Sequence, residues 1–272
     1  MDPHDMTRLN RSAGADNYRP PGCDCPSENR KTLMSLATPL VDKHVIVIGG
    51  TSGIGLAIAE RALAAGARVT AASRNPGRAA GTVPSGIATE QVDITSAASV
   101  ESLLDRVGAF DHLAMSAGVT ALGTVRELDS RAAQAFFDTK FWGAYNGVRA
   151  AADRIAKDGS IVLIGGIASR KHGPGRPTMA AINAALEAFG RANAVDLAPV
   201  RVNVIAPGLV ETPAFDDVPE DVRRRLLTQY VASVPVGRVG MPEDIASTAL
   251  FLMANGYATG SVVDVDGGVQ LT

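Results

Sequence analysis

The chain has 272 residues, of which 46% are apolar and 20% charged, with a formal net charge of -2 and a sequence pI near 6.1. That balance lacks the excess of Lys and Arg that draws proteins onto nucleic-acid phosphates or anionic lipid, and no apolar run reaches the length of a membrane span. Neither nucleic acid nor membrane is expected as a partner, whereas a chain of this length can bury one substantial core.

Residues 1–35 carry Pro3, Pro20, Pro21 and Pro26 among glycines and mixed charges, show neither helical nor strand periodicity, and read as a disordered extension. They contain no apolar centre of a secretory signal, so a cytoplasmic location is the expectation. The two cysteines, Cys23 and Cys25, stand one residue apart, poorly placed to staple a fold or complete a metal site, and no metal is expected.

Over residues 36–272 short β-branched runs alternate with longer helical patterns. Strands are predicted at 44–48, 68–72, 87–92, 112–115, 160–164, 201–205 and 261–265, and helices over 53–65, 97–107, 130–156, 179–197, 218–230 and 242–254. This alternation predicts a single α/β domain with a doubly wound, seven-stranded parallel sheet of the Rossmann kind.

The first strand runs directly into Gly49-Gly50-Thr51-Ser52-Gly53-Ile54-Gly55 and then into a helix with Ile54, Ile58 and Ala62 on one face. A glycine-rich turn between strand and helix lets the backbone approach a pyrophosphate, and the helix N-terminus offers it free N–H groups and positive dipole.

Further motifs follow in order. Ile48 precedes the spaced glycines Gly49, Gly53 and Gly55, Asp93 follows the third strand, and Ser116-Ala117-Gly118 ends the fourth. Pro207-Gly208 with Thr212 comes next, then Arg238-Val239-Gly240 and Asp266-Gly267-Gly268. This series resembles the short-chain dehydrogenase/reductase family over roughly residues 36–272. The resemblance implies a nicotinamide dinucleotide held by Gly49, Thr51, Ser52, Gly53, Ile54, Gly55, Ser73, Arg74, Asp93, Ile94, Ala117, Gly118, Pro207, Gly208, Val210 and Thr212.

The second strand ends in Ala72-Ser73-Arg74, where an NAD-specific site would place an acidic side chain against the ribose 2′-hydroxyl. Ser73 removes that repulsion and Arg74 offers a planar cationic fork to a 2′-phosphate, with Arg78 as a second contact, so NADP(H) is the expected cofactor.

Members of this family use an Asn on the fourth helix, a Ser after the fifth strand and a Tyr-x-x-x-Lys on the fifth helix. The resemblance puts Lys140, Gly166, Met179 and Asn183 at those places. A thioether exchanges no proton and a glycine has no side-chain donor, which removes an acid ordinarily contributing about 10²–10⁴ in rate. Lysine and asparagine read as exchanged, with Lys140 supplying an ammonium near the nicotinamide ribose and Asn183 as its partner. His172 is the one nearby side chain with a proton-transfer pKa range.

Residues 213–230, with Asp216, Asp217, Glu220, Asp221 and Arg223 to Arg225, read as a substrate lid. The expected function is an NADP(H)-dependent oxidoreductase with an atypical active site, reducing an activated small organic substrate such as an iminium, enone or ketone. The alternative is an NADP(H)-binding protein of the same fold without redox turnover. The resemblance also implies a homo-oligomer, tetramer or dimer, paired through the fourth and fifth helices, for which Phe136, Phe137, Phe141 and Trp142 are bulky enough.

Overall fold

The structure, a computed structural model, describes residues 39–79, 81–118, 122–213 and 219–272. The extension expected over 1–35, both cysteines, and Asp216 and Asp217 of the expected lid lie outside them.

Seven parallel strands form one sheet in the order β3-β2-β1-β4-β5-β6-β7. They are β1 (His44–Ile48), β2 (Arg68–Ser73), β3 (Ile87–Gln91), β4 (Phe110–Met115), β5 (Ile155–Ile164), β6 (Arg201–Pro207) and β7 (Val262–Val265). The helices are α1 (Gly53–Ala64), α2 (Ala97–Val107), α3 (Ser130–Phe137), α4 (Gly143–Ala151), α5 (Pro177–Asp196), α6 (Glu220–Ser233) and α7 (Pro242–Ala254). None of these is long and apolar enough to cross a membrane.

Every residue of β1 and β6 is buried, the mark of central strands covered by helices on both faces. Ile46, Ile48, Leu113, Ile161 and Leu163 meet α2, α4 and α5 on one face, through Leu103, Val148 and Leu186. Val45, Val47, Ala114, Val162 and Ile205 meet α1 and α7 on the other, through Ile58 and Leu250. Alternate residues of each strand therefore serve opposite cores, as the period-2 geometry requires.

The single helix predicted over 130–156 is corrected in two ways. It ends at Ala151 and the chain enters β5 at Ile155, because Phe110 of β4 pairs with Ile155 ahead of the main register, with an irregularity before His112 pairs with Ser160. It is also interrupted: Asp138–Trp142 forms a π-helical turn between α3 and α4. Such wide turns insert one residue into a helix and recur at functional sites. Phe136 of the expected interface set is buried beneath the sheet face at 2% exposure, whereas Trp142 stands 50% exposed.

The strand order reverses between β1 and β4: the chain moves outward from β1 to β2 and β3, then returns to β4 on the other side. Loops leaving the carboxyl ends of β1 and β4 diverge there and open the crevice in which such sheets bind ligands.

Candidate active site at the carboxyl ends of the strands

The glycine turn fills one side of that crevice. Gly49 has φ of +84°, where L side chains are strained, and a Cβ on it would lie 2.5 Å from the backbone nitrogen of Ala117 after β4. A Cβ on Gly55 would run into the carbonyl oxygen of Gly49. The turn is thus folded back on itself and against the Ser116–Ala117 loop, with both close approaches made by backbone. Gly49 and Gly50 donate their N–H groups to the Ala72 carbonyl at 2.7 and 3.3 Å, tying the turn to the end of β2. Ser52 is the N-cap of α1 yet makes no capping bond with its side chain. Thr212, after β6, stands over Gly53, with its side chain 3.4 Å from where a Cβ would sit.

The end of β2 carries an unmet hydrogen-bonding group, because Ser73 Oγ is buried without a partner among the described residues. Arg74 beside it is exposed, makes no ion pair at contact distance among the described residues, and lines a surface cavity with Asn75, Gln91 and Asp93. Arg78 lines a neighbouring cavity with Arg74. Asp93 accepts from the Thr95 N–H at 3.0 Å and its hydroxyl at 2.8 Å, which holds its carboxyl below the usual range, and Arg74 adds to that effect. Ile94 is buried next to it, leaving no room for a side chain on Gly143, and its carbonyl accepts from Asn146 Nδ2 at 3.1 Å.

A second polar group forms where β5 ends. The π-helical turn presents Lys140, whose Nζ donates to the Gly165 carbonyl at 2.9 Å. Its neighbours Ile94, Met115, Ala117, Ala144, Leu163, Ile164 and Leu186 enclose a cavity of only about 10 Å³, the lower limit for one water. Desolvation there pushes the ammonium down to about 8. No carboxylate stands against it among the described residues.

Asn183 lies on α5, 1% exposed, and its Oδ1 is buried without a partner among the described residues. The amide nitrogen stands 2.8 Å from where a Cβ on Gly166 would be. Lys140 and Asn183 therefore meet the two halves of one corner, the Gly165 carbonyl and the Gly166 Cα. The ammonium goes to the backbone rather than to the amide, so the two side chains do not form a pair of their own. Met179, one turn before Asn183, is half-buried and packs against the core beneath α5. His172 is exposed in the loop before α5, with Nδ1 3.2 Å from the Ala168 carbonyl.

At the end of β6, Pro207 is buried and Gly208 follows against Tyr230 and Asp266. Tyr230 Oη accepts the Leu209 N–H at 2.8 Å, and burial raises its pKa. Val210 is buried and bridges to Gly240. Gly118 is exposed at the start of the loop after β4.

Comparison with known proteins agrees with this arrangement. The family model described as Enoyl-(Acyl carrier protein) reductase matches residues 49–270. A 3-oxoacyl-[acyl-carrier-protein] reductase of Chlamydia trachomatis is 32% identical over 85% of this chain and 98% of its own length. The short-chain dehydrogenase/reductase ATR9 of Stachybotrys chlorohalonatus is 32% identical over 84% of this chain and 97% of its own. The chain belongs to the short-chain dehydrogenase/reductase family. A crystal structure of a small-chain dehydrogenase in complex with NADPH superposes with a TM-score of 0.76, at 36% identity, covering 85% of this chain and 99% of that one.

Within this member of the family, the structure adds a network that sequence reasoning missed. Glu187, one turn beyond Asn183 on α5, is 6% exposed. It accepts from Arg170 at 2.6 Å and from Ser169 Oγ, and Arg170 reaches on to Asp264 of β7. Ser169 Oγ is also 3.3 Å from the Gly166 carbonyl. The loop between β5 and α5 is thereby stapled from both sides, which fixes the Gly165–Gly166 corner. A glutamate on the buried face of an Ala-rich helix is the signal that could have pointed to it, since such a charge needs a partner.

Proposed function

We propose that the protein is an NADP(H)-dependent oxidoreductase with an atypical active site, acting on an activated small organic carbonyl or related acceptor. The observation that carries the reading is the glycine cradle at the reversal of strand order, joined at the end of β2 to the unpartnered Ser73 Oγ and the uncommitted Arg74. A backbone cradle and a helix N-terminus suit a pyrophosphate, and a buried hydroxyl beside a guanidinium suits a 2′-phosphate. These residues fit the dinucleotide, which when bound supplies the hydride.

The chain's own residues do the rest. Gly49, Thr51, Ser52, Gly53, Ile54 and Gly55 hold the diphosphate. Asp93, Ile94, Ala117 and Gly118 border the adenosine side of the crevice, and Pro207, Gly208, Val210 and Thr212 the nicotinamide side. Lys140 keeps an ammonium at the corner where β5 ends. Met179 and Gly166 are the atypical feature: neither moves a proton, so the substrate is one whose carbon accepts hydride with little acid assistance. His172, exposed on the loop before α5 with Nδ1 3.2 Å from the Ala168 carbonyl, is the imidazole assigned to return a proton through water.

The reading takes residues 1–35 as an extension outside the domain and the assembly as a homotetramer. Phe141, Trp142, Tyr145 and Phe189 form an aromatic cluster, edge-to-face in three of its ring pairs and tilted between Tyr145 and Phe189, suited to its interface.

The test is a titration with NADPH and NADH, followed by NADPH oxidation over ketones, enones and imines. Tighter NADPH binding that Arg74→Ala abolishes, with oxidation by at least one acceptor, is the expected result. Equal affinity for the two cofactors would refute the Arg74 assignment. Tight NADPH binding without oxidation by any acceptor would move the protein to a non-redox role.

A further inference from the structure

We infer that the Asn183 side-chain amide is the donor that faces the reacting oxygen of the substrate, standing in the space that Gly166 leaves open; the inference rests on the reductase reading above. Three observations meet here. Asn183 is almost wholly buried yet makes no hydrogen bond among the described residues, and its Oδ1 is sealed off without a partner. An orphan buried acceptor costs about 1–3 kcal/mol, and the amide nitrogen, which donates to none of the described residues, is the end of the side chain left free for a ligand. Its nitrogen lies 2.8 Å from the position of a Cβ on Gly166, so amide and side chain compete for one volume.

The backbone around that volume is fixed. Gly165 N–H donates to the Ile205 carbonyl at 2.8 Å, the Gly165 carbonyl accepts Lys140, and Ser169 Oγ, whose proton goes to Glu187, lies 3.3 Å from the Gly166 carbonyl. Gly166 is extended, with φ of 168°. Nothing in its backbone conformation demands glycine, which leaves the Asn183 amide as the reason a side chain is excluded. A hydroxyl on residue 166 and the amide of residue 183 are thus alternative ways of placing one donor at the end of β5.

The arrangement also selects the substrate. Hydride arriving at a carbonyl or conjugated carbonyl carbon sends the π electrons toward oxygen, and an amide N–H with an ammonium at the next peptide stabilises that charge. The same two groups oppose an iminium, which brings a positive charge and an N–H of its own. The site is therefore built for ketones or enones rather than iminium ions.

The experiment compares Asn183→Leu, Asn183→Ala, and Asn183→Ala combined with Gly166→Ser or Gly166→Ala. Thermal stability, NADPH affinity and NADPH oxidation are measured on the best carbonyl acceptor and on an imine. Leu keeps the heavy-atom count and branching of the amide and leaves no cavity, so it reports even if the Ala variant is unstable. Asn183→Leu should bind NADPH normally and lose about 10²-fold or more in kcat on the carbonyl, as removal of one oxyanion donor does. Gly166→Ser in the Asn183→Ala background should recover turnover, and Gly166→Ala, which fills the space without a donor, should not. Undiminished kcat in Asn183→Leu, equal rescue by Ser and Ala, or an imine preferred by the wild type would each overturn the inference. If no acceptor oxidises NADPH, the reductase reading falls and the donor role falls with it. The shared volume is read separately: Gly166→Ala should lower the melting temperature in the Asn183 protein and not in the Asn183→Ala protein.

Discussion

Lys140→Met probes the corner at β5 through stability rather than turnover. Burial has taken the ammonium from an ordinary value of 10.5 to about 8, with desolvation as the cause. The unfolded chain therefore holds a proton on this lysine between about pH 8 and 10.5 that the folded chain has released, so wild-type stability rises with pH across that window. At about 1.36 kcal/mol per pH unit, the descent from 10.5 to about 8 amounts to about 3 kcal/mol. Met keeps the length and apolar stem but does not titrate. It also loses the bond to Gly165, a cost of about 1.5–3 kcal/mol for a charged donor. The two effects separate because only the first varies with pH. Urea unfolding of the cofactor-free proteins at pH 7 and pH 10.5 should show the wild type gaining about 3 kcal/mol on the variant, other titrating groups cancelling in the difference. A constant difference across that range would mean the ammonium is hydrated and the corner open to solvent.

Three further outcomes follow from the geometry. Gly55→Ala drives a Cβ into the Gly49 carbonyl oxygen, which is backbone and has nowhere to yield; NADPH affinity by fluorescence titration should fall at least about tenfold, and an unchanged affinity would detach the cradle from the cofactor. His112 is held down to about 4 by burial, bonded to Ser160 Oγ at 3.0 Å, so stability should fall by about 3 kcal/mol as pH drops from about 6.5 to about 4, and His112→Asn should flatten that slope; parallel unfolding curves would refute it. Trp142→Glu places a charge in the exposed aromatic cluster, and light scattering should show the assembly breaking toward the 28.1 kDa chain, whereas an unchanged mass would place the interface elsewhere.

Much of the frame was legible in the sequence because it depends on local pattern. Val45, Val47, Ile46 and Ile48 are apolar on both faces, which is how a central parallel strand reads, and the glycine turn follows with no intervening residue. The reading failed where structure depends on distant partners. Residues 130–156 contain no proline and keep a helical pattern, so neither the π turn at Asp138–Trp142 nor the early start of β5 leaves a local signal; the pairing of Phe110 with Ile155 is made across the sheet. The tie between Arg170, Glu187 and Asp264 joins residues up to 94 positions apart, and no local spacing encodes it.

The exchange of lysine and asparagine shows the same division. That a lysine stands at 140 and an asparagine at 183 is visible from the sequence, and it suggests that the two side chains meet. The structure shows instead that each reaches a different atom of one peptide corner: the long side chain crosses from the π turn to the Gly165 carbonyl, and the short one stops over Gly166. Neither end point follows from residue type, because both depend on how far α4 and α5 stand from the end of β5. Reach decides the chemistry here. An ammonium anchored on a carbonyl is a fixed positive charge, whereas an amide nitrogen that donates to none of the described residues is a donor left for a ligand. Position 166 stays a glycine for as long as that amide occupies the only space its side chain could use.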